Sequence, residues 1–113
     1  MIEVKLIKKD DLTTSQWSGG TTTQLAIWPE DSSYAERTFK WRVSTARVEV
    51  EHSEFTSLPG VSRIFMVLDG TLHIKHEGHG EVTIIPFEQN SFQGDWNTVS
   101  MGRVTDFNLM MSE

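Results

Sequence analysis

Apolar and polar positions alternate with period two along much of the chain, the pattern of strands with one face to a core and one to water. Ile2, Val4 and Leu6 alternate with Glu3 and Lys5, which predicts a strand over residues 2–7. Residues 8–20 are polar and turn-rich and end in Trp17-Ser-Gly-Gly, where glycine allows positive φ or close backbone contact. Further strands are predicted over 21–28 and 39–50, separated by a Pro-Glu-Asp-Ser-Ser loop. Residues 51–60 are broken and close on Leu-Pro-Gly. A strand over 62–68 runs into Asp69-Gly70, which predicts a type I′ hairpin returning over 71–77. Gly78-His79-Gly80 turns into 82–85, and Pro86 bars a central strand beyond it. Gln93-Gly94-Asp95 is another turn, and 104–111 is a closing strand. No stretch reads as a long amphipathic helix. Roughly eight or nine short strands at even spacing predict an all-β sandwich or small barrel in a single domain, residues 1–113.

The alternation assigns faces. In 39–50, one face carries Phe39, Trp41 and Val43, and the other Arg42, Ser44, Ala46, Val48 and Val50. In 62–68, Arg63 shares a face with Phe65 and Val67, while Ile64, Met66 and Leu68 lie opposite. Both faces of this strand are apolar, so it is expected to be covered on both sides. A buried charge without a partner is costly. Arg63 therefore calls either for an internal ion pair, with Asp106, Asp95 or Glu54, or for a carboxylate or phosphate ligand that a guanidinium binds bidentately.

Composition narrows the chemistry. The chain has 113 residues and no Cys, which removes disulfides, thiol nucleophiles and zinc ribbons. A net charge of −6 argues against nucleic acid as a partner. No apolar run approaches the ~20 residues of a membrane helix, and the N-terminus lacks a signal-peptide core, so a cytoplasmic protein is expected. Among the four histidines no pair has metal-ligand spacing on one strand face: His73 and His76 fall on opposite faces, and His52 and His79 lie apart. Phosphate loops, dinucleotide fingerprints and nucleophile elbows are absent, so neither metal nor cofactor is expected.

Two stretches resemble degenerate cupin motifs. The first cupin motif closes on a Gly in a Leu-Asp-Gly turn, here Leu68-Asp69-Gly70. Counting back from Gly70, the position of the metal-binding Glu falls on Arg63, and the two His positions fall within 55–59, where there is no His. Gly80 and Pro86 match the opening of the second motif, whose His position is Ser91. A closer resemblance covers nearly the whole chain. Trp17-Ser-Gly-Gly-Thr-Thr-Thr-Gln-Leu, Trp41-Arg-Val-Ser-Thr-Ala, Phe55-Thr-Ser-Leu-Pro-Gly-Val-Ser-Arg63, Phe92-Gln-Gly-Asp and Asp106-Phe-Asn-Leu-Met look like the HutD/Ves family, in the family's order. The resemblance implies a cupin-like antiparallel jelly-roll barrel. It also implies a binding or regulatory role linked to histidine utilisation or stress, with urocanate or a related carboxylate as ligand, and no established catalysis. Members usually carry two cupin-like halves and this chain resembles the first, which leads to the expectation of a homodimer whose second copy covers the surface the other half would bury.

Alternation and the cupin frame together put Arg63 inside the barrel, where a guanidinium in place of a carboxylate would attract an anion. The expected ligand-binding set is Arg63, Arg42, Ser44, Thr21, Thr23 and Trp17, with Trp17 and Trp41 as pocket walls and Asp106 as a structural partner of an arginine. Three readings stay open: a metal-free binder of a small anionic metabolite, a metal-free isomerase or hydrolase using Glu54, Asp95 or His76, and a domain filled by its own side chains with Arg63 paired internally.

Overall fold

In the computed structural model, residues 12–112 are described and form ten strands without a helix. They are β1 (Thr13–Trp17), β2 (Gly20–Trp28), β3 (Trp41–Val48), β4 (His52–Glu54), β5 (Val61–Asp69), β6 (Leu72–His76), β7 (Gly80–Ile84), β8 (Gln89–Gln93), β9 (Thr98–Met101) and β10 (Val104–Ser112). Two antiparallel sheets result, one in the order β1-β2-β3-β10-β5-β8 and the other β4-β9-β6-β7. The last strand enters the middle of the larger sheet, between β3 and β5. Such non-sequential neighbours are the mark of a jelly roll rather than a meander.

Burial follows the alternation. β5 and β10 show a strict alternation of buried and half-buried positions over most of their length. The inner rows of the two sheets meet in a core of Val48, Phe65, Val67, Leu72, Ile74, Ile84, Phe92 and Val104. Val67, Leu72 and Ile74 are wholly buried there, each contributing roughly 1.5–3 kcal/mol of apolar transfer. A second cluster, Phe39, Leu58, Val61 and Met110, closes the other end against Ile27 and Tyr34. The inner rows between the clusters are polar.

Several expectations need correction. Asp69-Gly70 is not a hairpin: β5 belongs to the larger sheet and β6 to the smaller. Both edges of β5 are already paired, to β10 and β8, so the chain must leave the sheet. Gly70, at φ 92°, makes the corner, where a Cβ would stand 2.6 Å from the Arg103 carbonyl. The turn-rich stretch 8–20 contains β1, which forms a hairpin with β2. Gly20 lies so close to β3 that a Cβ would meet the Arg47 carbonyl at 1.9 Å. The broken stretch 51–60 contains β4, and β8 and β9 fill the segment between Pro86 and the closing strand. β5 is fully covered on one face only: Ile64, Met66 and Leu68 stay half-buried. The strand predicted over 2–7 lies outside the described residues. Among the described residues no helix is long and apolar enough to cross a membrane.

Candidate functional site

A cavity of about 300 Å³ opens between the two apolar clusters. Its floor is the inner face of the larger sheet, and the cross-strand registers order that floor into rows. Arg42 on β3 and Arg63 on β5 both stand opposite Met110 of β10. The next row holds Ser44, Asn108 and Phe65, and the one after it Ala46, Asp106 and Val67. Opposite residues of an antiparallel pair share a face, so these side chains converge on one space. Tyr34, Phe55, Ser53, Glu54 and Trp17 contribute walls and mouth.

The polar groups of this floor are deeply buried: Arg63 is 6% exposed, Asn108 7% and Asp106 2%. Arg42 donates from Nε to Gln24 Oε1 at 2.9 Å, and its guanidinium carbon lies 4.0 Å from the Tyr34 ring centre. Arg63 lies against the adjoining rings of Phe55 and Phe92, each with its ring centre 5.2 Å from the guanidinium carbon and the two centres 5.8 Å apart. Cation–π contacts of this kind offset part of the desolvation of a buried guanidinium. They supply no hydrogen bond to Nε, and among the described residues Arg63 Nε, Asp106 Oδ1 and Asn108 Oδ1 are buried without a partner. Native interiors seldom leave such atoms unpaired.

Electrostatics follow from burial. Desolvation pushes the Arg63 guanidinium down to about 10; Tyr34 and Asp106 draw it back up, and Arg42 lowers it further. It remains cationic at neutral pH. Arg42 is lowered chiefly by burial. Desolvation raises Asp106 to about 7, against the lowering effects of Arg63 and of a hydrogen bond from the Ala46 backbone. The expected structural pairing is therefore not formed: among the described residues, Asp106 makes no ion pair with Arg42 or Arg63, and Arg42 is met by the amide oxygen of Gln24 instead.

Arg63, Arg42, Ser44 and Trp17 are thus brought together, while Thr21 and Thr23 are not. Thr21 pairs with Arg47 and Thr23 with Thr45, on the outer face; it is Thr22, opposite Ala46, that lines the cavity. Trp41 faces outward, opposite Trp28. Gln24 and Tyr34 were missed. A register shift between Gln24 and Ala26 hides the face of the first, and Tyr34 lies in a loop without periodicity. Of the groups considered as acid or base, Glu54 lines the cavity, whereas Asp95 and His76 do not. His76 is buried among Phe92 and Trp96, with Nδ1 2.8 Å from Thr98 Oγ1 and Nε2 2.6 Å from Asn90 Oδ1. His73 lies at the surface beside Thr83 and Glu81.

The HutD family's sequence model matches residues 9–113. The chain belongs to the HutD family. Among solved structures, a conserved protein of unknown function, PA5104 from Pseudomonas aeruginosa PAO1, is 26% identical with a TM-score of 0.84, over 98% of this chain and 58% of its own. HutD from Pseudomonas fluorescens SBW25, in a formate condition, is 26% identical with a TM-score of 0.78, over 93% of this chain and 58% of its own. The chain thus spans under two thirds of the length of either relative. The Cupin_2 domain of an XRE family transcriptional regulator from Enterobacter cloacae shares the fold, at 21% identity and a TM-score of 0.63, over 81% of this chain and 95% of that one. The comparison with curated proteins found no match. The barrel of this HutD protein is a cupin jelly roll, and Arg63 sits on an inner strand face, as the cupin frame implied.

Proposed function

We propose that this HutD protein binds a small carboxylate in the inner cavity and serves a sensing or regulatory role, without a metal. The observation that carries the reading is Arg63: a cation buried to 6% exposure, facing a cavity with Nε unpartnered. Arg42 and Ser44 add donors beside it. A carboxylate would meet the guanidinium bidentately and supply the partner that the chain itself does not. Urocanate and related carboxylates of histidine breakdown are the ligands the family resemblance points to, and formate is the smallest probe of the same chemistry. A domain filled by its own side chains is disfavoured, since it called for a paired Arg63 and no cavity.

Isothermal calorimetry with urocanate, formate and formylated amino acids tests the reading. Binding that disappears in Arg63→Ala supports it. Absence of binding to every carboxylate, or binding unchanged by Arg63→Ala, overturns it. One observation favours a second reading, catalysis on a related metabolite: Asp106, raised to about 7, is a carboxyl able to give and take a proton near neutral pH within the cavity. Turnover of a bound carboxylate that is lost in Asp106→Asn would support it.

A further inference from the structure

Among the described residues Asp106 is the only buried carboxyl, at 2% exposure, and it lines the same cavity as Arg42 and Arg63. Burial opposes its ionised form; the charge of Arg63 and a hydrogen bond from the Ala46 backbone favour it. So little of the group is exposed that an occupant of the cavity acts on it through the electric field, not by contact. Few other charges face it. From the larger sheet β3 brings Arg42 and β5 brings Arg63; the loop between β2 and β3 brings Tyr34, and Glu54 stands at the mouth. Arg47 and Asp69, opposite Thr105, are exposed on the other side of their strands. His76 of the smaller sheet is buried but does not line the cavity.

Arg63 and Asp106 thus share one space of low polarity, where charges couple more strongly than in water. A carboxylate held by the arginines cancels the cation that helps Asp106 to ionise, and adds a like charge beside it. Both effects favour the protonated form of Asp106. Resting on the carboxylate reading above, we propose that the cavity takes up its anion together with a proton, which goes to Asp106. The ligand stays ionised at the arginines, the proton bonds to a carboxyl oxygen of Asp106, and no bond of the ligand changes. What is bound overall is the acid, with its charge and its proton held apart on one floor. In the empty cavity burial raises Asp106 to about 7, so the linkage operates around neutral pH. Below that pH the proton is already in place and the anion enters alone. Above it each anion must draw a proton from solution, so affinity falls as pH rises. A sensor built this way responds to a weak acid and to acidity as a single quantity.

Calorimetry on the full chain tests this with formate and benzoate, each of which has a carboxyl as its single titratable group. Titrations in buffers of different ionisation enthalpy count the protons taken up. More than about half a proton per anion is expected at about pH 7.5, falling towards zero at about pH 5.5. Affinity is expected to be roughly tenfold weaker at about pH 8 than at about pH 6. Asp106→Asn copies the protonated form, so it should bind with the low-pH affinity throughout and take up no proton. Binding by the parent that is independent of buffer and pH overturns the inference and leaves the carboxylate reading standing. Absence of binding by either acid even at low pH, where the site is most receptive, overturns both. Uptake that persists in Asp106→Asn overturns the assignment to Asp106. Should that variant not fold, infrared difference spectra of the parent above neutral pH decide. Addition of formate must then bring up the C=O stretch of a protonated carboxyl, and its absence overturns the inference.

Discussion

Arg63 on β5 and Asp106 on β10 line the same cavity, both buried, and each keeps an atom with no hydrogen-bond partner. They feel each other electrostatically without bonding: each favours the other's charged form, and burial opposes both. This is the arrangement of a site kept open at some cost to the fold.

The pH dependence of stability should report Asp106. Its carboxyl is raised from 3.8 to about 7 in the folded state. Between those values the native protein holds a proton that the unfolded chain has released. Its contribution is therefore most favourable below about pH 4 and is lost as pH rises towards 7, levelling off above. A shift of this size corresponds to something on the order of 4 kcal/mol. Asp106→Asn keeps the shape of the neutral form and removes the titration. Urea melts of both proteins across this range should show the variant gaining stability relative to the parent as pH rises. Parallel curves would remove Asp106 as the titrating group.

Arg63→Met should separate binding from stability. The side chain is a buried charge with an unmet donor at Nε, resting against two aromatic rings. Replacing buried charges by apolar groups of similar volume is often neutral or stabilising, by about 1–4 kcal/mol. The variant should melt at or above the parent temperature and lose carboxylate binding. A clear loss of stability would mean that Arg63 is part of the scaffold.

Much of this site was legible in the sequence because the period of two assigns each residue of β3 and β5 to a face, and Arg42, Ser44 and Arg63 fall on faces shared with apolar residues. Arg42, Ser44 and Arg63 each share a face with residues that cannot face water, so their burial followed from parity alone. The run Thr21-Thr22-Thr23 offers no such contrast, since all three residues are alike. Only its pairing with Ala46 on β3 selects Thr22. The Asp69-Gly70 corner failed for a different reason. Its turn chemistry suits a hairpin, but the long-range pairing of β10 and β8 had already used both edges of β5. The state of Asp106 was likewise invisible, because it depends on which atoms lie within reach rather than on which face the residue occupies.

Two glycines should respond differently to the same change. Gly70 and Gly78 both have positive φ, 92° and 78°. A Cβ at Gly70 would press on the Arg103 carbonyl at 2.6 Å, whereas at Gly78 nothing lies within 4 Å. Gly78→Ala should cost only the backbone strain, about 1–2 kcal/mol. Gly70→Ala should cost that and a displacement of the β10 entry besides. Equal melting temperatures for the two variants would contradict the packed corner.

His76 should prove structural. Its two ring nitrogens sit against Thr98 and Asn90, and its ring packs on Phe92 and Trp96. His76→Leu retains much of the bulk but leaves both polar partners unmet, with an expected loss of about 1–3 kcal/mol. Carboxylate affinity should stay unchanged in the folded variant, because His76 does not line the cavity. A change in affinity without a change in melting would assign it to the site.

The outer face of the larger sheet bears on the expected homodimer. Val43, Leu109 and Ile64 lie in one cross-strand row there, with Trp28, Trp41 and Met111 on one side of them and Phe107 and Met66 on the other. These side chains are half-buried or exposed, and Trp28 reaches 44% exposure. A second copy laid on this face would cover an apolar surface spread over four strands, and a stable interface needs about 800 Å² from each partner. Two chains of charge −6 repel one another at long range, so added salt should tighten the pair while apolar contact holds it. Sedimentation should then give twice the 12.9 kDa of one chain. Leu109→Lys, at the centre of the row, should return a monomer with its melting temperature little changed at high salt, since on an isolated sheet a lysine can lay its stem across the surface and keep its charge in water. A parent chain that sediments as a monomer at every concentration and salt would remove the homodimer and leave this face without an assigned occupant.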